Sequence, residues 1–137
     1  NHKLLNIMLE GIIAISKTGG IGLKNGLPWK CSEDLKHFKR LTMGRHLIVG
    51  NTTFKSLPKL KGRTLHVVSA DNPLEKILAL KHDFIVIGGK SIYDQLLDKC
   101  DIIYCSLIND MSPADTFYEL STAQKKKTVY FEFDTNK

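Results

Sequence analysis

The stretch FIVIGGKSIYDQLL, residues 84–97, decides how this chain is read. Phe84, Ile85, Val86 and Ile87 form a short apolar run without a polar break, the pattern of a strand buried on both faces. The run passes directly into Gly88-Gly89, and the spacing predicts a helix over 91–97. Glycine lets the backbone approach a pyrophosphate, and a following helix presents free N–H groups to it. A tight strand-to-helix turn needs the same residues, so this element alone leaves both readings open. It is not GxGxxG, and no acidic residue follows at Rossmann distance.

The same alternation extends to both sides. GIIAIS (11–16) reads as a second buried strand, and KTGGIGLKNGLP (17–28), with four glycines, as a long adaptable loop. Ser32 reads as an N-cap with Glu33 and Asp34 in the first turn, and Leu35, Phe38 and Leu41 follow at helical spacing until Gly44. Strands are predicted over 46–49, closed by Gly50, and over 64–69 and 102–108. A helical turn is predicted over 53–56. Asn72-Pro73 opens a short helix carrying Leu74, Ile77, Leu78 and Leu80, and 128–133 alternates like a half-exposed edge strand. Strand and helix alternating in this way predict an α/β three-layer sandwich, a mostly parallel central sheet flanked by helices, as a single domain over 1–137. In such sheets ligands bind at the carboxyl ends of the strands.

Composition narrows the function classes. With 42% hydrophobic and 25% charged residues in 137, one core can be buried. No apolar run reaches the roughly 18 residues that would span a bilayer. The apolar stretch 4–9 is short, interrupted by Asn6 and without a cleavage signature, so it is not read as a signal peptide. Cys31, Cys100 and Cys105 form no metal spacing and read as free thiols of a reducing compartment, the cytoplasm. The net charge of +6 points to an anionic partner, but the basic residues are scattered and only Lys125-Lys126-Lys127 makes a run, read as a solvated turn. No nucleic-acid or membrane partner is expected. HExxH, CxxC, GxSxG and a Walker lysine are absent, the five histidines show no ligand or triad spacing, and no metal is expected.

The chemistry concentrates around Leu27-Pro28-Trp29, Asp34 and Phe38. Asp34 and Phe38 lie four apart and share one helix face. A carboxylate beside an apolar stripe loses hydration, which raises its pKa, while the helix N-terminus opposes the shift. Such a carboxylate can grip an amidine-like N–H pair through charge-assisted hydrogen bonds; taken alone, Asp34 reads equally as a first-turn acid like Glu33. Arg63, after Gly62, can bind a carboxylate bidentately or form an ordinary surface ion pair.

In order along the chain, these pieces resemble the dihydrofolate reductase family. IIAISKTGGIGLKNGLPW is similar to its first strand and active-site loop, SEDLKHFKRLT to its first helix, and LIVGNTTFKSLP to its second strand and the helix after it. GRTLHVVS, FIVIGGKSIYDQLL, and IIYCSLI followed by ADTFY resemble later family elements, so the likeness runs collinearly from 11 to about 118. The resemblance implies reduction of 7,8-dihydrofolate to tetrahydrofolate with hydride from NADPH. Asp34 would bind the pterin 2-amino group and ring nitrogen. The proton would come from water admitted around Leu27, near Trp29, and Ser106 would hold a water against Asp34. Ile12, Ala14, Leu27, Phe38, Leu57 and Leu60 would pack on the substrate rings, Ile87 beside them, and Arg63 would pair with the glutamyl carboxylate. Ala14, Ile21 and Ile87 would line the nicotinamide site, with Gly22 and Asn25 close by. Gly50, Thr53, Gly88, Gly89 and Lys90 would surround the pyrophosphate, Asn51 and Ala70 would lie near the adenosine 2′-phosphate, and Thr52, Val68, Ser69, Ser91, Ile92 and Tyr93 would also line the cofactor site. Antifolates such as methotrexate or trimethoprim are implied as ligands.

The chain departs from the family in two respects. Asn51 stands where a basic residue usually pairs with the adenosine 2′-phosphate, Ala70 replaces a common Ser or Arg, and Asp71 adds negative charge, so NADH use is open. Between Ser69 and Phe84 there is room for one short helix but no extra strand, and after Phe117 one strand stands where two usually form a hairpin. Trimmed edge strands predict lower stability, or an edge-to-edge dimer in place of a monomer. The alternatives are a catalytically impaired folate- or dinucleotide-binding homologue and a related pyrimidine reductase of riboflavin synthesis.

Overall fold

The computed structural model describes residues 7–135, so residues 4–6 of the apolar N-terminal stretch lie outside the described residues. In chain order the elements are β1 (Leu9–Ser16), β2 (Gly20–Gly22), α1 (Ser32–Thr42), β3 (His46–Gly50), α2 (Asn51–Ser56) and β4 (Thr64–Val68). Then come α3 (Leu74–Leu78), β5 (Phe84–Val86), α4 (Lys90–Leu96), a 3-10 turn (Leu97–Lys99), β6 (Ile102–Asn109), β7 (Thr116–Phe117), α5 (Thr122–Lys125) and β8 (Thr128–Asp134). Six strands form one sheet in the order β4-β3-β5-β1-β6-β8, and every neighbouring pair is parallel. After β1 the chain builds outward through β3 and β4, returns to insert β5 beside β1, and then lays β6 and β8 on the other side. The build direction reverses at β5 and β1, and a crevice opens beyond their carboxyl ends.

The apolar runs form strands here because both faces are covered. Successive residues of β5 go to opposite layers: Phe84 and Val86 pack with Ile13, Ile48, Leu96 and Ile103, whereas Ile85 packs with Ile12 and Leu47 against Phe38, Leu41 and Leu60. A third cluster of Trp29, Cys31 and Ile108, with Ala14 and Phe133 against it, pins the chain entering α1. Glu10, buried within β1, pairs with Arg45.

Several expectations are corrected. The cap position of α1 is Cys31, not Ser32, and no side chain caps it. The buried residues of α1 are Asp34, His37 and Thr42, while Leu35 is 57% exposed; the helix turns a polar stripe inward because that stripe faces a cavity. Residues 17–28 are not a free loop, since β2 pairs antiparallel with β7 and Leu23–Gly26 closes a tight hairpin turn. Lys125 ends α5, which carries a Ser121/Gln124 capping box that the sequence reading missed. Only α3 lies between β4 and β5, as the spacing predicted.

The histidines also differ from expectation. Parallel pairing of β4, β3 and β5 brings His46, His66 and His82 together around Phe84. His46 Nδ1 and His66 Nε2 are 2.9 Å apart, with ring centroids at 5.2 Å, so the nitrogens meet head-on with one proton between them. His82 stacks on His46 at 3.8 Å. Burial, then the neighbouring rings, holds His46 and His66 below the ordinary imidazole range. A base whose folded pKa is depressed takes up protons more readily when unfolded, so its effect appears below the unfolded pKa as a loss of stability on acidification. The melting temperature of the wild type should therefore fall more between about pH 7 and pH 5 than that of His82→Gln. Equal slopes in a thermal-melt series would assign the cluster no such part.

Candidate active site

A cavity of about 660 Å³ occupies the crevice beyond β1, β3 and β5, within the range typical of small-molecule sites. At one end it is lined by Ile12 and Ala14 of β1, Leu35, Phe38 and Asp34 of α1, and Leu27, Leu57 and Leu60. Asp34 is 8% exposed. Burial pushes its carboxyl up, and a hydrogen bond from the Ser106 hydroxyl and the nearby His37 pull it back. Ser106, on β6, stands beside the carboxylate, where the resemblance implies it. A half-desolvated carboxylate over an apolar floor is suited to hold the N–H edge of a flat heterocycle.

The other end is made of backbone. Gly50 donates its N–H to the Gly88 carbonyl at 2.8 Å, joining the ends of β3 and β5. Gly88 has φ 117°, a conformation that side chains rarely adopt, and the Gly88–Gly89 peptide is cis. A Cβ on Gly89 would lie 2.7 Å from Thr53 Oγ1, and one on Gly50 3.1 Å from Ile92 Cγ1. The surface is thus a glycine cradle that a Cβ would fill, flanked by Thr53, Lys90 and Ser91, and it fits a pyrophosphate. The Tyr93 hydroxyl donates to the Ile12 carbonyl at 2.8 Å and ties α4 to β1. Lys90 also reaches Asp94 at 3.6 Å and lies 5.2 Å from the Tyr118 ring centre.

Between the two ends lie Ile21, Gly22, Asn25, Val68 and Ile87. The segment carrying Ile21 to Leu27 is held by its clasp to β7. Lys24 and Asn25 take φ 50° and 68°, the pair of positive values a type I′ turn requires. The Asp115 carboxylate accepts the Lys24 N–H at 2.8 Å, and Asp115 donates its own N–H to the Gly22 carbonyl.

The expected Asn51, Thr52 and Ile92 also line the cavity, but five residues do not. Trp29 packs with Cys31 and Ile108, its Nε1 buried and without a partner. Ser106 is reached only through Asp34. Arg63 donates to Thr42 Oγ1 at 3.2 Å, one turn beyond Phe38, and Ser69 and Ala70 are exposed where β4 ends, on open surface that no wall encloses. Residues that the sequence reading missed are Gly26, Leu35, His37, Ser56, Pro58, Gln95 and Thr116. His37 could have been found by stepping one helical turn from Asp34.

Fold and cavity together define an α/β enzyme of the kind that seats a flat ring on a buried acid beside a ligand carrying phosphate. Residues 8–135 match the family model of dihydrofolate reductase. The chain is 37% identical to dihydrofolate reductase type 9 of Escherichia coli, over 88% of this chain and 81% of that one. It is 30% identical to the dihydrofolate reductase of Mycoplasma genitalium, over 93% and 92%. The solved structure of dihydrofolate reductase from Enterococcus faecalis, complexed with NADP(H) and RAB-propyl, superimposes with a TM-score of 0.73 at 31% identity, covering 84% of this chain and 79% of that one. The chain belongs to the dihydrofolate reductase family. Among the described residues no helix is long and apolar enough to cross a membrane.

Proposed function

We propose that the protein reduces 7,8-dihydrofolate to tetrahydrofolate with NADPH, within one domain. The observation that carries this reading is a buried acid, Asp34, sharing one cavity with the Gly88-Gly89 cradle. Ionised Asp34 accepts hydrogen bonds from the pterin 2-amino group and ring N–H, and its charge favours protonation at the imine nitrogen. Water supplies that proton past Leu27, which is 51% exposed at the mouth. Ile12, Ala14, Phe38, Leu57 and Leu60 hold the rings flat and exclude bulk water, so the work is largely positioning. Arg63, whose Nε is buried without a partner, is the candidate for the glutamyl carboxylate. When bound, NADPH supplies the hydride; Gly50, Thr53, Gly88, Gly89, Lys90 and Ser91 would hold its pyrophosphate, and Ala14, Ile21 and Ile87 its nicotinamide. Methotrexate and trimethoprim are ligands of the same pocket, the protein is a monomer, and three buried free thiols accord with the cytoplasm.

Loss of NADPH absorbance on adding dihydrofolate tests the reading. Tight methotrexate binding without turnover would establish the impaired homologue instead. Cofactor selectivity is also expected to be weak. Exposed Asn51 offers the 2′-phosphate no charge, and a charge-assisted hydrogen bond is worth about 1.5–3 kcal/mol. NADPH should therefore exceed NADH in kcat/KM by less than about a thousandfold. A larger ratio would mean that another cation serves the phosphate.

A further inference from the structure

We infer that His37 is a positioning residue of this reaction: its imidazole, one helical turn from Asp34 on the same face of α1 and in the same cavity, keeps the carboxylate ionised for the pterin. The inference takes as its premise the reading of Asp34 as the pterin-binding acid. Residues 34 and 37 are three apart on α1 and so share a face. Both line the cavity, and both are more than nine-tenths buried, at 8% and 7% exposure. The imidazole is wedged in place by β8, with ring centroids 4.3 Å from Phe131 and 5.3 Å from Phe133. Its Nε2 is buried and has no hydrogen-bond partner in the protein. An apolar side chain would fill this position without that cost, so packing does not account for a histidine here.

The charges around the ring are few. On α1 they are Asp34 and Arg40. β8 turns Phe131 and Phe133 toward it, while Glu132 and Asp134 are exposed residues of that strand. β6 contributes the Ser106 hydroxyl, beside Asp34. Burial pushes the imidazole down and the carboxyl up, and each acts on the other in the opposite sense. A proton on His37 is a cation beside the Asp34 carboxylate and favours its ionised form.

The test is the titration of Asp34 in ligand-free protein, followed by NMR of ¹³C-labelled aspartate carboxyls, in wild type, His37→Asn and His37→Gln. Both variants keep a polar side chain and lose the proton site. The Asp34 midpoint is expected to rise by at least about half a pH unit in both, since an opposite charge within about 4–6 Å typically moves a carboxylate by 1–3 units. The acid limb of kcat/KM for dihydrofolate should move in the same direction. A midpoint that stays or falls in both variants would overturn the inference. Because the titration uses no substrate, a protein that fails to oxidise NADPH would refute the proposed reaction while leaving this result standing.

Discussion

Asp34→Asn lowers turnover near neutral pH by at least about tenfold while folate binding stays largely intact. Asparagine has nearly the shape of aspartate and keeps an oxygen that can accept a hydrogen bond beside the Ser106 hydroxyl. One edge of the pterin therefore keeps a partner, and the apolar walls from Ile12 to Leu60 are untouched. What disappears is a negative charge in a site that excludes water, where charge acts strongly. Protonation of the pterin imine loses its electrostatic support, so kcat falls much more than binding weakens. The acid limb belonging to Asp34 should vanish as well, since an amide does not titrate. Steady-state kinetics across pH, set beside a folate binding titration, measures both effects. Near-normal turnover in the variant would remove Asp34 from its assigned part.

Gly89→Ala is the second large effect, and it falls on the dinucleotide. The added Cβ would sit 2.7 Å from Thr53 Oγ1, closer than a Cβ tolerates, so the Thr53 hydroxyl or the glycine backbone must shift. The methyl would occupy the space that the glycines leave for the pyrophosphate. Affinity for NADPH should drop by at least about tenfold, the equivalent of about 1.4 kcal/mol. Antifolate binding at the Asp34 end should change less. Fluorescence titration with NADPH reads the first quantity, and a thermal melt of the same sample shows that the fold is retained. Unchanged NADPH affinity in a folded variant would mean that the pyrophosphate lies elsewhere.

Much of the fold was legible in the sequence, and the reasons for success and failure are physical. β1, β3 and β5 announce themselves because parallel strands covered on both faces must be apolar throughout. Gly88-Gly89 sits between a strand and a helix with no intervening residue, so its place at the mouth of the sheet follows from connectivity. The clasp between β2 and β7 was not legible: Gly20–Gly22 pairs with Thr116–Phe117 from far along the chain, and strands of three and two residues carry no period. On α1 the apolar spacing holds only in part: Phe38 and Leu41 pack on the core, whereas Leu35 is exposed at the cavity and His37 turns toward β8. Hydrophobic spacing finds the core side of a helix only where that side faces core. Arg63, Ser69 and Ala70 were placed by resemblance; Ser69 and Ala70 are exposed, and Arg63 lies part-buried against Thr42, outside the cavity lining.

β8 has a single neighbour among the described residues, β6, and Val129 and Tyr130 stand exposed on it. The same strand supplies Phe131 and Phe133 behind His37, and the Asp134 carbonyl accepts from Cys31 Sγ just before α1. The packing behind His37, the neighbour of Asp34 on α1, therefore hangs on one ladder of hydrogen bonds at the margin of the sheet, where local opening takes less free energy than global unfolding. Each transient peeling of that margin rehydrates the acid. Gentle warming or dilute urea should thus blunt catalysis while the bulk of the molecule is still folded.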